Sequence, residues 1–223
     1  MRIRKLTLPV TDVTSASRFF GEVLQLETSG AVVAVGWSII ELIEGDAVSA
    51  GGIHLAFNVP FNRFRAAKEW LLERCPLQRD SKGRDVFTFD ENWDAESIYF
   101  AGPDASILEL IARRRLPSSD RHGPFHGSEI LCLSEVGLAT SNVTASCEHM
   151  AEAFGIKPLG APGEEFAALG DDEGLLIVTH RSRPWFPEGR QLPCASGLVA
   201  HIQTPRPGSF ASSAEDNWAV HSE

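Results

Sequence analysis

The sequence predicts an α+β protein assembled from repeated β-α-β-β units, and three observations carry that prediction. A strand-like phrase occurs twice, SIIELI at 38–43 and SILELI at 106–111, with Glu41 and Glu109 at the same place in each. Setting Lys5 against His54 matches the preceding strands by type: Leu6 with Leu55, Leu8 with Phe57, Val10 with Val59. Between these strands, each copy carries one stretch of helical periodicity, so the order of elements recurs. A carboxylate among aliphatic residues is costly to bury unless a cation or hydrogen-bond donor meets it. Two of them at equivalent places point to a shared space.

RIRKLTLPV alternates polar and apolar residues, as a strand half-facing a core does. Asp12 is the expected cap of a helix, with Thr14 or Ser15 as further candidates, and Phe19, Phe20, Val23 and Leu24 form its apolar stripe. Strands are expected near 31–36 and 37–44, closed by a turn at Gly45-Asp46. The second pass opens at Gly51-Gly52 with the strand IHLAFNV. It continues with a helix over 62–74 that turns Phe64, Ala67, Trp70 and Leu71 inward, then strands at 84–89, 97–101 and 106–112. Residues 114–128, rich in Pro, Gly, Ser and charge, read as a linker. EVGLATSNV, a helix over 144–154, EEFAALG and EGLLIVTHR form a third pass. GLVAHIQTP starts a fourth, and GSFASSAEDNWAVHSE reads as a frayed tail.

The chain has 223 residues, enough for one large domain or two small ones, and its 43% hydrophobic and 22% charged composition is that of a globular protein. A net charge of −10 argues against nucleic acid, which needs a basic stripe. The cluster Arg113, Arg114 and Arg115 follows a strand and reads as a solvated exit. Cys75, Cys132, Cys147 and Cys194 are scattered without metal spacing and read as reduced thiols. With neither a signal peptide nor a membrane span in the pattern, a cytoplasmic protein with no membrane partner is expected.

The opening PVTDVTSASRFFGEVLQL, the strand HLAFNV and the closing GPDASILELI together resemble the vicinal oxygen chelate superfamily, which includes glyoxalase I, bleomycin-resistance proteins and extradiol dioxygenases. The resemblance implies β-α-β-β-β modules that pair into a cup-shaped mixed sheet around a small-molecule site. It implies a complete two-module domain at 1–113, a linker at 114–128 and a partial second domain at 129–223. In metal-using relatives the ligands come from the opening and closing strands of each module. Those places are Lys5, Glu41, His54 and Glu109. One imidazole and two carboxylates suit Mn, Fe(II), Ni or Zn, so His54, Glu109 and Glu41 form the implied metal set, with Glu41 either a ligand or a general base. Lys5 stands where relatives carry histidine. It opens a second reading, a metal-free binding or sequestering protein in which the Lys5 ammonium replaces the ion.

Glu135 occupies the corresponding place in the third module and Ile177 that of Glu41. A lone carboxylate makes no site, so the second half is expected to be structural or to supply a pocket wall. In HRSRPWFPEG, Arg181, Arg183 and Trp185 are candidates for gripping an anionic or aromatic ligand, against the plainer alternative of a loop anchored by Trp185 and Phe186. An incomplete fourth module leaves strand edges open and invites a homodimer. If the protein is an enzyme, the resemblance implies metal-dependent lyase, isomerase or dioxygenase chemistry.

Overall fold

The computed structural model describes residues 1–46, 52–89 and 92–223. Gly51, expected to open the second pass, lies outside them. The first module runs β1 (Arg2–Val10), α1 (Val13–Arg18), β2 (Glu27–Ser29), β3 (Val32–Val35) and β4 (Ser38–Glu44). Asp12 caps α1 by accepting a hydrogen bond from the Ser15 amide at 3.0 Å. The second runs β5 (His54–Asn58), α2 (Phe64–Leu72), β6 (Phe87–Phe89), β7 (Ala95–Ala101) and β8 (Ile107–Arg113). The third comprises β9 (Cys132–Thr140), α3 (Val143–Phe154), β10 (Phe166–Asp171) and β11 (Gly174–His180). The fourth has strands only: β12 (Val199–Gln203), β13 (Gly208–Ala211) and β14 (Ala219–Ser222).

These strands form two mixed seven-stranded sheets, ordered β13-β14-β12-β1-β4-β3-β2 and β10-β11-β9-β5-β8-β7-β6. In the first, β1 lies antiparallel to β12; in the second, β5 lies antiparallel to β9. Module one therefore pairs with module four, and module two with module three. This corrects the division into a self-contained pair over 1–113 and a partial unit over 129–223. The repeat describes each module but holds no information about which modules share a sheet, because every opening strand has the same apolar alternation.

Period-two alternation fixes what each face does. Leu6, Leu8, Ile40, Leu42, Leu55, Phe57, Leu108, Leu110, Val136 and Leu138 join Phe20 of the segment after α1, Trp70 of α2 and Met150 of α3 in one core. The intervening residues point to the opposite faces, and there the two sheets diverge. Strand β8 is buried at all seven positions, whereas β4 is exposed at Ile39, Ile43 and Glu44.

Two further expectations change. The tail is ordered: β13 and β14 extend the first sheet, and Trp218 is buried with its Nε1 donating to the Ala139 carbonyl at 2.6 Å. Alternation of Trp218, Val220 and Ser222 inward supplies the burial that the polar composition conceals. The 114–128 segment is a strap rather than a free linker. Phe125 packs on Trp70, and Asn62 exchanges hydrogen bonds with the Ser119 backbone. Among the described residues no helix is long and apolar enough to cross a membrane.

Candidate metal and ligand site

Three neighbouring strands of the second sheet bring His54, Glu109 and Glu135 together. Ala56 of β5 lies in register with Glu109 on one side and Glu135 on the other, and its methyl leaves the carboxylates room to converge. His54 Nε2 is 3.5 Å from a Glu109 oxygen and 3.7 Å from a Glu135 oxygen. All three side chains are buried, and one ligand atom from each lies within 4.8 Å of the others. His54 Nδ1 faces the Ile107 carbonyl at 3.2 Å. A carbonyl can only accept, so Nδ1 carries the hydrogen and Nε2 is the atom turned to the carboxylates.

Arg113 completes the charge arrangement. Its side chain is fully buried, its Nη2 donates to Glu135, and the ring of Trp93 covers the guanidinium at 5.5 Å. Burial raises the pKa of Glu135, but the His54 hydrogen bond and the Arg113 charge outweigh it, and the net shift is downward. Glu109 goes the other way: burial and the Glu135 charge push it up to about 7. Burial pulls His54 down, but the Glu135 hydrogen bond and the two carboxylate charges leave it above its usual value. Tyr99, buried beside both acids, is raised well above 10 and stays a neutral phenol. In the metal-free site the negative charge thus favours Glu135 and the proton favours Glu109.

This asymmetry has a measurable consequence. A carboxyl whose folded pKa lies above its unfolded value stabilises the fold below the unfolded value, and that stability is lost as pH rises through the folded one. For Glu109 the window runs from 4.5 to about 7. In chelator, Glu109→Gln should match the parent near pH 5 and exceed it at pH 8 by on the order of 2 kcal/mol. Urea denaturation at the two pH values checks this; an equal difference at both would remove Glu109 as the proton carrier.

A cover closes the cup. Trp185 lies on His54 with ring centroids 5.0 Å apart and donates from Nε1 to the Gly52 carbonyl at 2.6 Å. Gly137 of β9 makes this approach possible, since a Cβ there would sit 2.8 Å from the Trp185 ring and 3.1 Å from His54 Cβ. Gly137→Ala should cost about 1–3 kcal/mol by overpacking and shift tryptophan emission; unchanged stability and emission would show that Trp185 does not depend on that gap. Beneath the cover is a cavity of about 230 Å³ lined by the triad, Ile111, Ile177, Arg183 and six aromatic residues.

Of the residues nominated from sequence, His54, Glu109, Arg183 and Trp185 line this cavity. Glu41 does not. It lies in the first sheet, 2.7 Å from Lys5, and both side chains are about 41% exposed. Glu41 is therefore neither a ligand nor a base for the His54 site, and Lys5 is not its built-in cation. The repeated phrase places the two glutamates equivalently, but in different sheets, and among the described residues Glu109 is buried while Glu41 is not. Arg181 is bound to Glu215 and Asp216 instead. In sequence Glu135 stands as a lone carboxylate, because the repeat does not show that the third module shares a sheet with the second. Arg113 reads there as a solvated exit, although 109, 111 and 113 share one face of a strand.

No protein-family model matches the chain, and no curated protein does. Solved structures do. A provisionally assigned dioxygenase of Bacillus subtilis subsp. subtilis str. 168 aligns over 100% of this chain and 85% of its own, at 13% identity and a TM-score of 0.64. Glyoxalase I from Zea mays aligns over 99% of this chain and 91% of its own, at 14% identity and a TM-score of 0.58. The fold is the one these solved structures share, a glyoxalase/dioxygenase-like fold. Within this glyoxalase/dioxygenase-like fold the donors fit a divalent ion: one imidazole nitrogen turned inward, which offers its lone pair once it gives up its proton, and two carboxylates, one of them paired with Arg113. Ile177, in register with Gly137, lines the same cavity and offers no donor.

Proposed function

We propose that the second-sheet cup binds a small organic molecule through adjacent oxygen atoms and that His54, Glu109 and Glu135 hold a divalent metal there, Mn, Fe(II), Ni or Zn. The convergence of three buried ligand atoms beneath an aromatic cover carries this reading. A bound ion would polarise a carbonyl or hydroxyl of the ligand, the chemistry that lyase, isomerase and dioxygenase reactions of this fold share. The chain's own contributions are specific. Arg113 keeps Glu135 ionised, the Ile107 carbonyl fixes the His54 tautomer, Tyr99 offers a phenol proton, and Trp185 excludes water. The test is metal analysis of untagged protein, with thermal stability followed as each of the four metals is added. Near-stoichiometric metal or clear stabilisation supports the reading, and neither would overturn it.

One observation favours a second reading, metal-free binding: Arg113 already compensates Glu135, and Glu109 can carry a proton. In that case Arg113 takes the part that the sequence suggested for Lys5. Measured ligand binding unaffected by chelator would select this reading.

A further inference from the structure

Arg183 differs from the other arginines around the second-sheet cup. Arg113 is bound to Glu135, Arg115 to Asp172, and Arg181 to Glu215 and Asp216. Arg183 lines the cavity yet makes no ion pair or side-chain hydrogen bond among the described residues. Its guanidinium carbon lies 4.7 Å from the centre of the Phe166 ring. Stacking of that kind holds one face of the guanidinium and leaves the edge N–H groups available, in the fork geometry that matches a carboxylate.

The rest of the lining is aromatic. Phe186 meets Phe87 at 4.5 Å and Tyr99 at 5.3 Å, both edge-on, and remains 38% exposed. Trp185 tilts over His54 from the same segment. Walls made of ring faces and edges suit a flat ligand. A cavity of about 230 Å³ is small beside the usual range for drug-sized ligands, which limits that ligand to one or two fused rings. Charge points the same way. With Glu135 matched by Arg113, Arg183 is, among the described residues lining the cavity, the arginine without a carboxylate partner, in a chain whose net charge of −10 otherwise disfavours anions.

We propose that this cavity takes a planar aromatic or conjugated molecule bearing one carboxylate or similar anionic group, and that Arg183 selects the anion. The inference rests on the reading of the cavity as a ligand site and names its ligand class, but it does not require the metal. Naphthoate and its neutral, similarly shaped counterpart naphthamide separate charge from shape. Binding is followed by quenching of tryptophan emission, in chelator and again with added Mn, for the parent and Arg183→Gln. Arg183 is half-exposed, so the variant should fold, and an unchanged thermal midpoint verifies it.

The expected result is tighter binding of naphthoate than of naphthamide by the parent. Arg183→Gln should weaken naphthoate about 10-fold or more, the worth of a charge-assisted pair, and leave naphthamide unchanged. Equal affinities for the two probes, equal effects of the variant on both, or no binding of either would overturn the proposal. Preference for naphthoate in chelator sustains it even if no metal binds. Metal binding without anion preference overturns it alone and leaves the metal reading standing.

Discussion

Arg113→Leu should destabilise the metal-free protein by about 3 kcal/mol at pH 7 and by less than about 1 kcal/mol at pH 5. The guanidinium is fully buried and bound to Glu135, itself 3% exposed. Without it, Glu135 must either stay charged in a site that desolvates it or take up a proton. Protonation limits the cost. From an ordinary value of 4.5, it costs about 1.4 kcal/mol for each pH unit above that point. The sign follows: in the variant Glu135 has a raised folded pKa, so stability present below 4.5 is lost as pH rises. Arg113 Nε and Nη1 have no hydrogen-bond partner among the described residues, so the pair itself carries a desolvation penalty. Arg113→Leu/Glu135→Leu should therefore recover most of the loss at both pH values, because removing both members of a buried pair often costs little. Urea denaturation at pH 5 and 7 measures both variants. A single variant that costs the same at both pH values would sink the argument.

The elements were legible because they depend on local pattern. Alternation gave β1, strand-like apolar runs and the recurring order of elements gave β5, β8, β9 and β11, Asp12 gave the cap of α1, and the SIIELI/SILELI repeat gave the module. The site was half legible for the same reason. His54 and Glu109 stand on strands of one module, so the repeat finds them together. Glu135 comes from another module, and only the antiparallel pairing of β5 with β9 brings it in. Pairing among similar strands is decided by what covers them, and that depends on contacts such as Trp185 with Gly52, 133 residues apart. Lys5 and Glu41 show the converse. They satisfy each other across β1 and β4, two residues out of register, with both side chains half-exposed, and the local sequence of β4 is nearly that of β8. Burial turns one glutamate into a raised, proton-holding acid; exposure leaves the other lowered by its lysine hydrogen bond.

Two competing ligand sets can therefore be separated by substitution. The family resemblance of the sequence implies His54, Glu109 and Glu41, whereas the geometry brings together His54, Glu109 and Glu135. His54→Ala should take metal content from near-stoichiometric to undetectable, because it removes the one nitrogen donor and leaves two carboxylates to repel each other in a buried space. It should also abolish the thermal shift on metal addition, which corresponds to about 2.7 kcal/mol at one hundred times the dissociation constant. Glu135→Gln should lose most of the same effect, since an amide oxygen is a weaker donor and no longer answers Arg113. Glu41→Gln should retain metal in full, because Glu41 sits in the first sheet against Lys5 and shares no contact with His54. Metal analysis and thermal denaturation of the three variants, each checked for folding in chelator, read this out. Metal lost in Glu41→Gln and kept in Glu135→Gln would restore the sequence-based set and require modules one and two to share a sheet.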